Sequence, residues 1–314
     1  MTTADFAEFA RAVNNWGRWG ADDQRGTLNF ITEESVRAAA ALVRDGKRLP
    51  LAIPLSADGP QLGFVPGRTN PERTMIAVHE PMGPPGDQAD RVGPVVRFND
   101  DAVTMGLQAA THWDALAHVS YDDRMYNGVP PDAVDAIGAS RLGAGTIGPV
   151  VGRGVLLDLP AAAGVERLDG GYPLTPADLE RAEQHAGVRV GSGDIVLLRT
   201  GQMQLLHAGD KVGYCISTAG PSLQTVRWFH DREVAAVATD NLSFEVFPGE
   251  VDGLLLPVHM LHIVEMGLLQ GQNFDLEALA ADCADDGRYA FLLSATPEPF
   301  VGGAGAPVVP VAIK

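Results

Sequence analysis

The run from 106 to 118, Gly-Leu-Gln-Ala-Ala-Thr-His-Trp-Asp-Ala-Leu-Ala-His, gathers two imidazoles, a carboxylate and a carboxamide in one short stretch. Read as an extended segment, alternate side chains share a face. Gln108, His112, Asp114 and His118 then point one way with Ala110 and Leu116, while Thr111, Trp113 and Ala115 point the other. Neutral imidazole and carboxylate together suit zinc or manganese. A helical reading pairs 108 with 112 and 114 with 118 and still permits a site. His118 lies four residues beyond the acidic ligand candidate and is the residue type that titrates near neutrality, which makes it a candidate general acid/base. A His-x-Asp on an apolar strand is as readily a satisfied core pair, so the run gains weight only from its surroundings.

Aromatic and amide residues flank it. Trp113, Tyr121, Tyr126 and Asn127 are candidate substrate contacts, because pockets are mostly apolar with a few placed polar groups; Trp16 and Trp19 read as core or interface aromatics. Asp240, Asn241 and Glu245 follow an apolar strand, where sites in α/β proteins often gather, although a cap or turn explains the first two equally well. The Gly-Gly-Ala-Gly run at 302–305 lacks a phosphate-loop context and reads as a turn packed against other backbone. No Gly-x-Ser-x-Gly elbow is present and Cys215 has no evident base, which disfavours covalent catalysis. His79, His185, His207 and His230 have no supporting partners in sequence.

These residues need a scaffold. Residues 154–160 (GVLLDLP) and 194–199 (DIVLLR) are apolar runs of strand length, with shorter ones at 234–239 and 289–295. Helices are expected at 32–45, capped by Thr32 and stopped at Gly46, after the cap Thr175 with Pro176 and the stop Gly187, and over 222–231 and 275–284. Strands alternating with helices indicate an α/β protein with a mixed sheet flanked by helices. The Gly/Pro-rich residues 57–94 read as long loops and short strands, functional or dimer-facing. One domain over 32–314, preceded by an N-terminal arm over 1–31, is the expected organisation.

The 314 residues carry a net charge of −17, which argues against a nucleic-acid partner and against docking on an anionic membrane. No run approaches a membrane span, and the start lacks the basic and apolar regions of a signal peptide. Two isolated cysteines, Cys215 and Cys283, fit a reducing cytoplasm.

The run 108–118 resembles the signature of the cyclase family, which includes bacterial kynurenine formamidases and isatin hydrolases: His-x-Gly-Thr-His-x-Asp-x-Pro-x-His. Thr111, His112, Asp114 and His118 match it; Gln108, Ala110 and Leu116 stand where the family has His, Gly and Pro. Residues 16–32, 191–201, 235–245 and 302–313 are similar to the same family, so the likeness covers most of the chain from Trp16. It implies a swivelling β/α/β-like fold, metal binding by the first two His and the Asp of the motif, and proton transfer by the last His. A distant His and a later Glu often complete a second metal position in that family. His259 matches the first of these, and Gln272 stands at the second. His262, three residues after His259, reads as a surface or interface residue.

Both departures are to Gln, and the one at 272, where Glu is expected, removes the negative charge that would offset a second dication. The resemblance therefore implies a single Mn²⁺ or Zn²⁺ on His112 and Asp114, with Gln108, His259 or Gln272 completing the shell; a metal-free His/Asp site is the alternative. It also implies a homodimer or homotetramer. Hydrolysis of an amide, lactam or lactone of a small, apolar or cyclic substrate, with His118 as acid/base, is the expected activity. A lyase or ring-closing cyclase at the same site, or a non-catalytic small-molecule binder, are the alternatives.

Overall fold

The computed structural model describes residues 3–82 and 94–314. Its core is one nine-stranded mixed sheet. In spatial order the strands are Arg48–Pro50, Val311–Ile313, Ala290–Ser294, Val151–Asp158, Ile195–Arg199, Ala236–Thr239, Leu269–Gln272, His112–Asp114 and Gly305–Pro307. The four from Val151–Asp158 to Leu269–Gln272 are parallel, and the pairings on either side of them are antiparallel. The apolar runs become strands buried on both faces, as parallel strands flanked by helices must be. Leu156, Leu197, Ala238 and Trp113 enter one core, while Val155, Leu157, Val196, Leu198 and Val237 enter the other.

The helix signals act where the caps stand. Thr32 and Ser35 form a reciprocal capping box, as do Thr175 and Asp178, and each ties up otherwise unpaired N–H groups of a first turn. The second helix, Pro176–Ala186, stops at Gly187 in the left-handed region, φ 62°. The first, Glu33–Ala40, is shorter than expected, because from Leu42 the chain tightens into three-residue turns on Ala39 and Ala40. The other two helices run Thr225–Asp231 and Glu277–Asp286.

The amino-terminal residues lie on the body of the fold. Phe6 and Val13 enter the second core, and Asn15 and Thr27 N–H donate to the carbonyls of Glu265 and Gly267. Within the Gly/Pro-rich stretch, Glu72–Pro81 pairs with Arg97–Thr104 as a long hairpin standing away from the sheet. Residues 83–93 of that stretch lie outside the described residues. No helix among the described residues is long and apolar enough to cross a membrane.

Candidate active site

The short strand His112–Asp114 sits between Leu269–Gln272 and Gly305–Pro307, near one edge of the sheet. Thr111 ties it in: its hydroxyl donates to the Asn273 carbonyl at 2.6 Å and accepts from the Ile53 N–H at 2.9 Å. Antiparallel register puts His112 opposite Gln272, Trp113 opposite Gly271 and Asp114 opposite Gln270. Side-chain alternation then gathers His112, Asp114, Gln270 and Gln272 on one face. Trp113 takes the other face, over Gly271, where a Cβ would lie 2.7 Å from its ring. Gly305 is equally constrained, because a Cβ there would lie 2.8 Å from the Trp113 carbonyl oxygen.

The extended reading holds only across this strand. After Asp114 the chain turns, with His118 N–H donating to the Ala115 carbonyl at 2.9 Å, and the turn returns the His118 ring to Asp114. His112 Nε2 and His118 Nε2 lie 3.4 and 3.6 Å from the same oxygen, Asp114 Oδ1. His112 Nδ1 donates to the Ala110 carbonyl at 2.7 Å, which leaves its Nε2 lone pair facing Asp114. Asp114 Oδ2 accepts from Gln272 Nε2 at 2.7 Å. The same amide nitrogen lies 3.3 Å from His259 Nε2, so one NH₂ group bridges a carboxylate and an imidazole.

His259 is aimed by Glu245, whose Oε1 accepts from the ring Nδ1 at 2.6 Å and from the His259 N–H at 2.8 Å, while Oε2 accepts from the Val258 N–H. Glu245 thus has a definite task, through a contact between positions 14 residues apart that sequence spacing did not announce. A second support runs from Tyr214 through the Asn273 amide to the Ala110 carbonyl that anchors His112. Gln270, buried opposite Asp114, has neither amide atom partnered among the described residues, and sequence reasoning passed over it beside Gln272 in the same short strand.

Asp114 is fully buried. Burial alone would raise its pKa, but His118, His112 and His259 outweigh it and hold the carboxyl well below its usual range. Burial also lowers His118, against the pull of Asp114, which favours the neutral ring. Of the three imidazoles His118 is the accessible one, 22% exposed. It opens, with His259 and Gln272, on a cavity of about 570 Å³ walled by Leu62, Phe64, Val65, Ile216, Leu242 and Phe247. Cys215 belongs to the same wall, but burial pushes its thiol up to about 11 and it donates to the Pro60 carbonyl, so it is no nucleophile at neutral pH.

Several expected contacts lie elsewhere. Trp113 is in the core, its indole N–H on the Ala295 carbonyl, because alternation turns it away from the site. Tyr121 hydrogen-bonds Glu265, Tyr126 bonds Asp23, and Asn127 binds the backbone of Gly17, Gly20 and Ala21. Tyr126 and Asn127 anchor the amino-terminal segment, Tyr121 meets it through the ring of Phe6, and none of the three lines the cavity. Gln108 packs against Gly305 and makes no hydrogen bond to the His112–Asp114 cluster among the described residues. His262 is fully buried between Phe229 and Phe244, not at the surface, because the residues after His259 form a π-helical turn, Met260–Met266, packed into the core.

The cluster suits one cation. His112 Nε2 and Asp114 Oδ1 are buried acceptors without a donor among the described residues, 3.4 Å apart. That is long for a hydrogen bond but close to the spacing of two ligands each about 2.1 Å from one ion. Among the described residues no three His, Cys, Asp or Glu side chains form a cage by themselves. The fit is to one sparsely liganded ion beside His118, which lines the cavity. A second ion does not fit, since the Gln272 NH₂ already satisfies Asp114 Oδ2 and His259 Nε2.

Comparison with known proteins agrees with this architecture. The family described as "Putative cyclase" matches residues 49–246. A crystal structure described as a novel cyclase is 38% identical over 97% of this chain and 99% of that one, with a TM-score of 0.86. The chain therefore belongs to the cyclase family. Isatin hydrolase A from Ralstonia solanacearum shares the fold at 20% identity, over 90% of this chain and 97% of that one, with a TM-score of 0.58. A structure described as a "potential metal-dependent hydrolase with cyclase activity" shares it at 17% identity, over 85% and 98% of the two chains, with a TM-score of 0.50. A search of curated proteins found no match.

Proposed function

We propose that the protein hydrolyses an amide, lactam or lactone carbonyl of a small, largely apolar or cyclic molecule. The observation that carries this reading is the convergence of His112 Nε2 and His118 Nε2 on Asp114 Oδ1, with His118 facing an apolar cavity. The cavity desolvates the substrate and brings its carbonyl to the cluster. The neutral His118 takes a proton from the attacking water and returns it to the leaving nitrogen or oxygen. Asp114 lies beside His118 and stabilises the imidazolium formed in between. A divalent ion held by His112 and Asp114, manganese or zinc, would supply polarisation of the carbonyl and a more acidic water. The neighbours named for isatin hydrolysis and metal-dependent hydrolysis support the reading through their shared fold.

The test is a panel of aryl formamides, cyclic imides and lactones assayed with and without Mn²⁺ or Zn²⁺. At least one class should be hydrolysed, and His118→Ala should lower its turnover by about 10²–10⁴-fold while the melting temperature holds. Full activity in His118→Ala would remove the ring from the mechanism.

The hairpin supports assembly with a second copy. Ile76, Val78 and Val103 on its two strands are 54–65% exposed, and a two-stranded ribbon is marginal in water unless something covers it. A homodimer or homotetramer built on this ribbon is the proposed state.

A further inference from the structure

Arg68 stands apart from every other charged group in the cavity wall. It lines the cavity beside His118, His259 and Gln272, yet its guanidinium makes no ion pair or hydrogen bond among the described residues. Its stem is fixed, because Gly106 leaves room for it: a Cβ at 106 would lie 2.9 Å from Arg68 Cγ. Burial opposes its charge, and the carboxylate whose field acts on it, Asp114, lies among three imidazoles and already accepts a hydrogen bond from the Gln272 amide. Among cavity-lining residues otherwise dominated by Leu, Val, Ile and Phe, a half-buried cation without a partner is costly unless a ligand brings the anion. A guanidinium stays charged and offers a planar fork matched to a carboxylate.

We propose that Arg68 is the anion-recognition residue of this cavity, and that the molecule bound there carries a carboxylate apart from the bond presented to His118. The inference rests on the hydrolase reading only in its second half, because anion binding at Arg68 can be measured without turnover. The apolar wall takes the body of the ligand, the His118 side takes its carbonyl, and Arg68 takes the carboxylate. The net charge of −17 makes such a local cation more telling, since the protein as a whole repels anions.

The probes are the three acetamidobenzoate isomers against acetanilide, which keeps the amide and ring but lacks the carboxylate. Titration calorimetry is run on the full chain at low ionic strength, for the natural protein, Arg68→Met and Arg68→Lys. At least one isomer should bind the natural protein about tenfold or more tighter than acetanilide. Arg68→Met should erase that preference and leave acetanilide binding unchanged, while Arg68→Lys keeps part of it with a steeper salt dependence. Equal affinities in the natural protein, no detectable binding of any probe at millimolar concentration, or a preference that survives in Arg68→Met would overturn the proposal. The last result would place the carboxylate on the histidine cluster. An intact preference in a protein that hydrolyses nothing would sink the hydrolase reading and leave this one standing.

Discussion

Replacing Gln272 by Glu changes a donor into a charge at the most crowded point of the site. In the natural chain the amide nitrogen gives Asp114 Oδ2 a 2.7 Å hydrogen bond and also touches His259 Nε2 at 3.3 Å. A carboxylate in its place loses a hydrogen bond to a charged group, roughly 1.5–3 kcal/mol. It also sets two carboxylates side by side, a repulsion of about 4 kcal/mol for unit charges 4 Å apart at an effective dielectric of 20. Sharing one proton caps that repulsion. Without metal at pH 8, Gln272→Glu should therefore cost about 2–4 kcal/mol, or roughly 3–6 °C in melting temperature for a chain of this size. The new carboxylate has a raised folded pKa, so the deficit should shrink as pH falls toward 6 and the shared proton binds. Mn²⁺ or Zn²⁺ supplies the missing positive charge and should raise the variant's melting temperature more than the natural protein's. Thermal unfolding in EDTA and in saturating metal, at pH 6 and pH 8, reads all of this. A variant as stable as the natural protein in EDTA at pH 8, with equal metal shifts in both, would refute the bridging role of the Gln272 amide.

Other perturbations bear on separate parts of the site and fold. Burial lowers His262 to about 3, so the unfolded chain takes up a proton near pH 6.5 that the folded one refuses. Stability should fall between those two pH values by a total on the order of 5 kcal/mol, and His262→Phe should flatten that limb of the denaturant-measured profile; an unchanged slope would exclude the ring as its source. Glu245→Ala frees Nδ1 of His259 and two backbone N–H groups, for a loss of about 1–3 kcal/mol in chemical denaturation and a fall in activity; unaltered activity would show that the aim of His259 does not matter. Ile76→Asp with Val103→Asp should shift light-scattering mass to the monomer with little loss of monomer stability, and an unaltered mass would place the subunit interface elsewhere.

Sequence and structure agree most where the signal is local. The capped helix ends at Thr32 and Thr175 and the buried apolar runs reappear as elements, because capping and burial are properties of a few consecutive residues. His112, Asp114 and His118 do meet, but by a different route from strict alternation: the strand ends at Asp114 and a turn brings His118 round. Partners from remote positions were not legible. Glu245 meets His259 only because the chain folds back after the 236–239 strand, and Arg68 sits in a Gly/Pro-rich stretch whose sequence reads as loop. Proximity in sequence also misled. Tyr121, Tyr126 and Asn127 follow the motif closely, yet the chain beyond the turn at 115–118 carries them to Glu265, Phe6 and the loop at 17–23.

The most direct measurement is turnover of an active panel member in ¹⁸O-labelled water, followed by mass spectrometry of the released acid. Water attack at the His118 cluster requires one labelled oxygen per product and a His118→Ala variant, folded and melting as the natural protein does, that releases almost none. An unlabelled product formed at full rate would mean elimination or ring closure, and would contradict hydrolysis at this site.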